Sequence, residues 1–367
     1  MKYYFLLFFW LFMGPAYSQQ NLDTIYGNPK SVREKVEFLN EKKQNYKFMQ
    51  NDGDYGHATI FTPKGIKSRF HLYWYNYHWV FYVNYFKEFL ENGLPKNERW
   101  YNKDGSLERE FKYTYDKKNN LIEEKEVYFE GVFFETRLHY NHLNKLIASS
   151  YYSSDEPNEF SHWYYIRDKR NNIIETRTVD IEGEDYTIVN ELNQEGKVVR
   201  VIRKYIPNWR KIEVLQKDLT YKRSVLHEYD YDEKGNKILE LNYNEEAARV
   251  YSKKIFKYDS LNNLIETTAF FRPSDTTKYR TTKYVYNKDG LNTFKEELSS
   301  EEESEYESQR IFYNEDGLII KNILNEKSLK TVLTFKYQFD KKGNWTEITK
   351  IVNGEPLYVW TRDIKYY

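Results

Sequence analysis

No cysteine occurs anywhere in the 367 residues. That excludes disulfides, thiol catalysis, thiolate metal sites and a lipid-modified cysteine. An exported chain without disulfides is held together by its core and its hydrogen bonds alone, which suits a large sheet better than a small stapled domain. A surplus of charge is missing too, with 56 basic residues against 56 acidic ones. Nucleic-acid-binding domains carry a basic excess, so no nucleic-acid partner is expected. The phosphate-cradling loop is absent, because Gly65-Ile66-Lys67-Ser68 lacks the Gly-Lys-Ser order. No Gly-x-Ser-x-Gly elbow is present. His71 and His78 lack a third ligand and stand among Trp74, Trp79 and Tyr82, which reads as packing rather than metal binding. Glu301, Glu302, Glu303 and Glu305 form a charge run without the residue order of a calcium loop. No cofactor, metal or catalytic constellation is therefore predicted.

Long apolar runs are also lacking beyond the N-terminus. Lys2, the short apolar run Tyr3 to Met13, and the small residues Ala16 and Ser18 have the layout of an export signal. The run is too short to span a membrane comfortably. Residues 1–18 are read as a cleaved signal, with no membrane span after cleavage. The expected address is periplasmic, cell-surface or secreted.

Aromatics are abundant. Thirty-seven Tyr, 23 Phe and 8 Trp make up 19% of the chain. Tyr favours pleated, half-buried surfaces, so this composition argues for a β protein. A short pattern recurs: YDKKNN at Tyr115, YDEKGN at Tyr231, YDSLNN at Tyr258, YNKDGL at Tyr286, YNEDGL at Tyr313 and FDKKGN at Phe339. Aligned on its Gly or Asn, the pattern has ten copies: Gly105, Asn119, Asn144, Asn171, Gly196, Gly235, Asn262, Gly290, Gly317 and Gly343. Three residues earlier stand Asn102, Asp116, Asn141, Asp168, Asn193, Asp232, Asp259, Asn287, Asn314 and Asp340. Arg167 and Leu192 are the only departures from an aromatic before the Asp or Asn. An Asx side chain accepts from a backbone N–H two residues on, and the Gly or Asn supplies a positive φ. A type I turn followed by a left-handed residue makes a hairpin with a bulge. The flanks alternate with period two, as in Leu333, Phe335, Tyr337 and Phe339. Copies recur about every 26 residues with a second turn between them, so the fold class is all-β: a long antiparallel meander of about twenty strands.

Tyr231 to Asn236 and its relatives resemble the YD-repeat family, the repeats of Rhs proteins. The resemblance covers Trp100 to the C-terminus. It implies a strongly twisted or coiled repeat sheet that wraps toward a hollow shell. Lys342 to Thr346, Asn353 to Pro356 and Tyr366-Tyr367 look like short exported bacterial proteins carrying such repeats. The Arg-Tyr-Tyr-Asp-Pro stretch of large Rhs toxins is missing, so delivery of an enclosed toxin is not expected.

Residues 19–95 are read as an N-terminal β region that starts the sheet, and 96–367 as the repeat array. Val32, Glu34, Val36 and Phe38 alternate as a strand does, although Ser31 to Glu34 also fits a helix capping box; the strand is favoured. Asn51 to Asp54 reads as loop, and Pro207-Asn208-Trp209 as an extra turn. Thr62-Pro63-Lys64-Gly65 reads as a turn and the aromatic run from His71 as two strands. Trp74, Trp79, Trp100, Trp163, Trp209 and Trp360 are the candidate sugar-stacking residues, packing being the ordinary role of each. The leading expectation is an exported, non-enzymatic β-repeat protein presenting a binding surface to glycan or protein. The alternatives are a carbohydrate-active hydrolase with carboxylates in the sheet concavity, and a shell-like accessory of a toxin system.

Overall fold

The computed structural model describes residues 24–49, 62–128, 130–156, 160–180, 186–205, 222–244, 248–272, 275–300, 307–326 and 329–367. The export segment, the Asn51 to Asp54 loop, the turn at Trp209 and the Glu301 to Glu305 run lie outside those residues. Strand β1 (Pro29–Phe38) precedes helix α1 (Pro63–Asn76). Then follow β2 (Asn84–Phe89), β3 (Pro95–Tyr101), β4 (Leu107–Tyr115), β5 (Leu121–Tyr128), β6 (Phe133–Tyr140), β7 (Leu146–Ser153) and β8 (Phe160–Arg167). The chain continues through β9 (Ile173–Asp180), β10 (Tyr186–Leu192), β11 (Val198–Tyr205), β12 (Lys222–Tyr231), β13 (Lys237–Asn244), β14 (Arg249–Tyr258) and β15 (Leu264–Phe270). It ends with β16 (Tyr279–Tyr286), β17 (Asn292–Ser299), β18 (Ser308–Tyr313), β19 (Ile319–Asn325), β20 (Lys330–Phe339), β21 (Trp345–Val352) and β22 (Glu355–Tyr366).

Each Asx unit reverses the chain by the same two backbone bonds. In nine of the ten the Asx Oδ1 also accepts from the N–H four residues on; in the Asn102 unit the Ser106 N–H donates to Asp104 instead. In the unit at Asp116, the backbone N–H of Asn119 donates to the Asp116 carbonyl at 3.0 Å, and that of Asp116 donates to the Asn120 carbonyl at 2.9 Å. Asp116 Oδ1 accepts from the N–H of Lys118 at 2.8 Å and of Asn120 at 2.9 Å. The turn closes on a left-handed residue, with φ +66° at Asn119 and +81° at Gly235. Beyond it the ladder slips: Tyr115 pairs with Leu121 but Thr114 with Glu123, so one residue bulges. The same slip accompanies all ten units.

The residue before the Asx ties neighbouring hairpins together. The hydroxyls of Tyr115, Tyr231, Tyr258 and Tyr286 donate to the carbonyls of Pro95, Val198, Lys237 and Leu264 at 2.7–2.9 Å. Each of those carbonyls belongs to the first residue of the preceding strand. Arg167, a departure from the aromatic pattern, does the same work with its guanidinium, bonding the Leu146 carbonyl at 2.9 and 3.2 Å.

The expected strongly twisted or coiled repeat sheet is corrected in one respect: the sheet closes into a barrel. Every strand pairs antiparallel with its sequence neighbours, and β1 pairs with both β2 and β22, completing a ring of 22 strands. The physical reason lies in the segment without the motif. Its strand β1 offers one edge to β2 (Glu34 opposite Tyr85) and the other to β22 (Val36 opposite Trp360). Among the described residues no strand edge is left to pair with another chain.

The aromatic run from His71 is also corrected, because its first part is helical. Thr62 is the N-cap, its Oγ1 accepting from the Gly65 N–H at 3.0 Å, and Pro63 opens the first turn. Ile66, Phe70 and Trp74, four residues apart, form a buried helical stripe. Helix α1 thus packs against the inner face of the barrel. At its C-terminal end, Lys350 Nζ of β21 donates to the carbonyls of Tyr77 (2.6 Å), Tyr73 (3.2 Å) and Trp79 (3.3 Å). Burial holds this amine well below its ordinary pKa. Around the helix, Trp360 meets Phe70, Trp74 and Trp345 edge-on, with centroids 4.7, 5.5 and 4.5 Å apart. Among the described residues, every buried hydrophobic side chain except Ile202 falls in residues 32–111 or 311–360. The core therefore fills one side of the ring.

Candidate functional site

The six tryptophans do not form one row. Trp74, Trp100 and Trp360 are 0%, 0% and 2% exposed. They point inward around α1 and present no face to a ligand, so for these three the stacking role gives way to core packing. Trp79 is half-buried, stacked on Tyr77 at 5.4 Å and edge-on to His78 at 4.3 Å. Trp163 is half-buried on the inner face of β8. Trp209 lies outside the described residues. His71 rests 5.3 Å from the Trp360 ring. Burial first, then the Lys350 charge, lowers the His78 pKa. Among the described residues no group of three His, Asp or Glu is placed to hold a metal.

An exposed aromatic strip stands instead on the outer face of β6 to β9. Strand alternation sends Trp163 and Tyr165 inward and Phe160, His162 and Tyr164 outward. Across the ladder, Tyr152 sits opposite Phe160, Ser150 opposite His162 and Ala148 opposite Tyr164. Val179 of β9 faces His162 from the other side. Tyr152, Phe160, Tyr164 and Val179 are 37–46% exposed. Ring centroids are 5.2 Å apart for Phe160 and His162, 6.4 Å for His162 and Tyr164, and 5.9 Å for Phe133 and Tyr152. Lys125 Nζ lies 3.7 Å above the Phe133 ring. Two same-strand ion pairs, Arg137–Glu135 and Arg177–Glu175, each at 2.5 Å, bracket the strip. Arg177 is directly opposite Tyr164, and Glu135 opposite Tyr152. Small side chains at Ala148 and Ser150 leave the ring faces uncovered. The result is a row of flat apolar faces flanked by hydrogen-bond donors and acceptors. No outward-facing tryptophan marks this strip, although the alternation Phe160-His162-Tyr164 is plain in the sequence.

The inner wall of β3 to β5 gathers carboxylates. Glu98 is fully buried and accepts from Trp100 Nε1 at 3.2 Å, with Lys87 Nζ at 3.3 Å. Arg109 binds Glu126 at 2.5 Å and lies 4.1 Å over the Tyr128 ring. Burial raises the Glu126 pKa against the opposing pull of Arg109. Glu124 is pushed up to about 7, chiefly by burial and then by the charges of Glu126 and Glu98. It therefore holds a proton near neutral pH, while Glu126 and Glu98 are engaged by cations.

No family model and no curated protein matches this chain. Solved structures do. A TcdB2–TccC3 structure without its hypervariable C-terminal region is 13% identical, with a TM-score of 0.40 over 76% of this chain and 19% of that one. The Tc holotoxin pore of Photorhabdus luminescens is 11% identical, with a TM-score of 0.36 over 74% of this chain and 15% of that one. A porin-like protein from Bacteroides uniformis is 10% identical, with a TM-score of 0.28 over 92% of this chain and 98% of that one. The chain thus spans less than a fifth of the Tc toxin chains it matches. By name these neighbours are Tc toxin components and a porin-like protein.

Proposed function

We propose that the protein is an exported, non-enzymatic β-barrel that binds carbohydrate on the strip formed by Tyr152, Phe160, His162 and Tyr164. The observation that carries this reading is the exposure of the Tyr152, Phe160 and Tyr164 rings on the outer strand surface, with half-buried His162 and polar groups between and beside them. A protein-docking core is a contiguous apolar patch depleted of charge. Here His162 and Ser150 interrupt the apolar faces and two ion pairs border them, which suits a ligand that alternates C–H faces with hydroxyls.

The outer surface supports a water-facing barrel. A membrane barrel turns an apolar band toward lipid, where a midplane Lys or Arg costs about 2–4 kcal/mol. The outward rows here carry ion pairs such as Arg99–Glu110 at 2.9 Å, Lys257–Glu266 at 2.7 Å and Arg310–Glu296 at 2.8 Å. Export itself rests on the N-terminal sequence.

A glycan array followed by calorimetry on the mature protein tests the proposal. Tyr164→Ala and Phe160→Ala are expected to weaken binding about tenfold each, with Tyr164→Phe close to the parent. Silence on the array, or full binding by the double alanine variant, removes the carbohydrate reading. A protein ligand lost with the same variants replaces it with a protein-docking face.

A further inference from the structure

A second place in the barrel has the makings of a ligand site, and it is independent of the outer strip. A half-open cleft of about 540 Å³ lies at the barrel mouth between the start of β1, the ends of β2 and β22, and the hairpin at Gly93. Pockets for small molecules fall in that size range. Val32, Phe89, Pro29 and Pro95 give it apolar walls, and Lys67 of α1, Lys87 and Arg362 bring three cations to it.

The charges there do not cancel. Glu34 is held from behind by Trp360 Nε1 at 3.0 Å and takes Arg362 through Nε and Nη2, both at 2.8 Å. Glu98 is held in the same way by Trp100 and takes Lys87. Each buried carboxylate thus neutralises one cation, and among the described residues no carboxylate is paired with Lys67. Its ammonium sits 4.9 Å from the Tyr85 ring, which lines the same cleft. Arg362, with a side chain 1% exposed, has a second unmet demand: its Nη1 is buried without a hydrogen-bond partner among the described residues. An uncompensated cation and an orphaned guanidinium donor in a partly enclosed space leave a deficit that an oxyanion completes.

We infer that this cleft binds a small molecule by a single anionic head group (carboxylate, sulfate or phosphate), with Lys67 as its principal counter-charge and the apolar walls receiving the rest of the ligand. Lys87 and Arg362 set the local field but are committed to their carboxylates, so Lys67 is the residue whose loss isolates the anion contact. Being half-buried on the helix surface, it can be replaced without opening the core.

Titrations of the mature protein with sulfate, phosphate and acetate, followed by chemical-shift or thermal-shift measurements at low ionic strength, test the inference. Saturable binding of at least one anion is expected, weakened about tenfold or more by Lys67→Ala and abolished by Lys67→Glu. Lys336→Ala, on an exposed part of β20, leaves it unchanged. A far-ultraviolet spectrum matching the parent certifies that the Lys67 variants are folded. Non-saturable shifts with all three anions, or equal affinity in folded Lys67→Ala and the parent, overturn the site. Loss of glycan binding through Tyr164→Ala leaves this result untouched, so the two readings fail separately.

Discussion

The sector of the barrel around β1 and β18 to β22 and the sector from β6 to β17 are built from the same hairpins and have opposite interiors. In the first, the inward rows carry Leu333, Phe335, Ile348, Tyr358 and Trp360, all 5% exposed or less, packed on α1. In the second, the buried inward positions are small and polar: Ser149, Thr178, Thr267 and Thr282. Larger inward groups there, such as Trp163 and Tyr165, are half-buried. The turn unit specifies where the chain reverses and how strands register. It does not specify what fills the ring. That filling comes from a helix outside the repeats, and it reaches only the strands beside it.

Five substitutions test how deep this difference runs. The largest effect is expected at Trp360. Trp360→Ala removes a fully buried ring and is expected to cost about 3–5 kcal/mol, against roughly 1 kcal/mol for Trp163→Ala on the unfilled side. Urea denaturation of both variants gives the values, and equal losses would show that the second sector is packed as well.

A pH series sharpens the boundary between the sectors. Glu124, on β5 where the core ends, has a folded pKa of about 7, raised above its unfolded value. The stability linked to it is therefore complete below about pH 4.5 and is lost as the pH rises through 7. Glu124→Gln is expected to match the parent at pH 4 and to exceed it by up to about 3 kcal/mol at pH 8. A difference that does not vary with pH would mean that water reaches this carboxyl freely.

The smallest effect belongs to the repeat itself. Tyr258→Phe deletes one hydroxyl and its bond to the Lys237 carbonyl at 2.9 Å, with an expected loss of about 1 kcal/mol. Tyr115→Phe, which deletes the bond to Pro95 beside the filled sector, is expected to lose the same, measured by the same denaturation midpoints. Unequal losses would mean that the rungs depend on what lies behind them.

Much of the architecture is legible in the residues, and the illegible parts have identifiable causes. The reversals are local: an Asx residue and a left-handed Gly or Asn three residues later carry most of the chemistry, so the meander can be read directly. Closure is not local. Nothing near Val36 announces that it will face Trp360, because pairing between distant strands is encoded only in which rows are apolar. The helix is hidden for another reason. The run from His71 has a strand-like composition, and the stripe Ile66-Phe70-Trp74 decides against it only once Thr62 and Pro63 are seen as a cap rather than a turn. At the outer aromatic strip, Phe160, His162 and Tyr164 alternate as a strand does. Which of the two faces meets water follows from tracing register around the ring, not from the strand alone.

The bond from Trp360 to Glu34 joins residues 326 positions apart. That seam is the longest-range contact a meander can make, and chains dominated by such contacts fold slowly. Until it forms, β1 and β22 each carry a row of unsatisfied backbone groups available to any passing strand. The final zipping of the seam is thus where this molecule, during its maturation, is most exposed to pairing with a copy of itself.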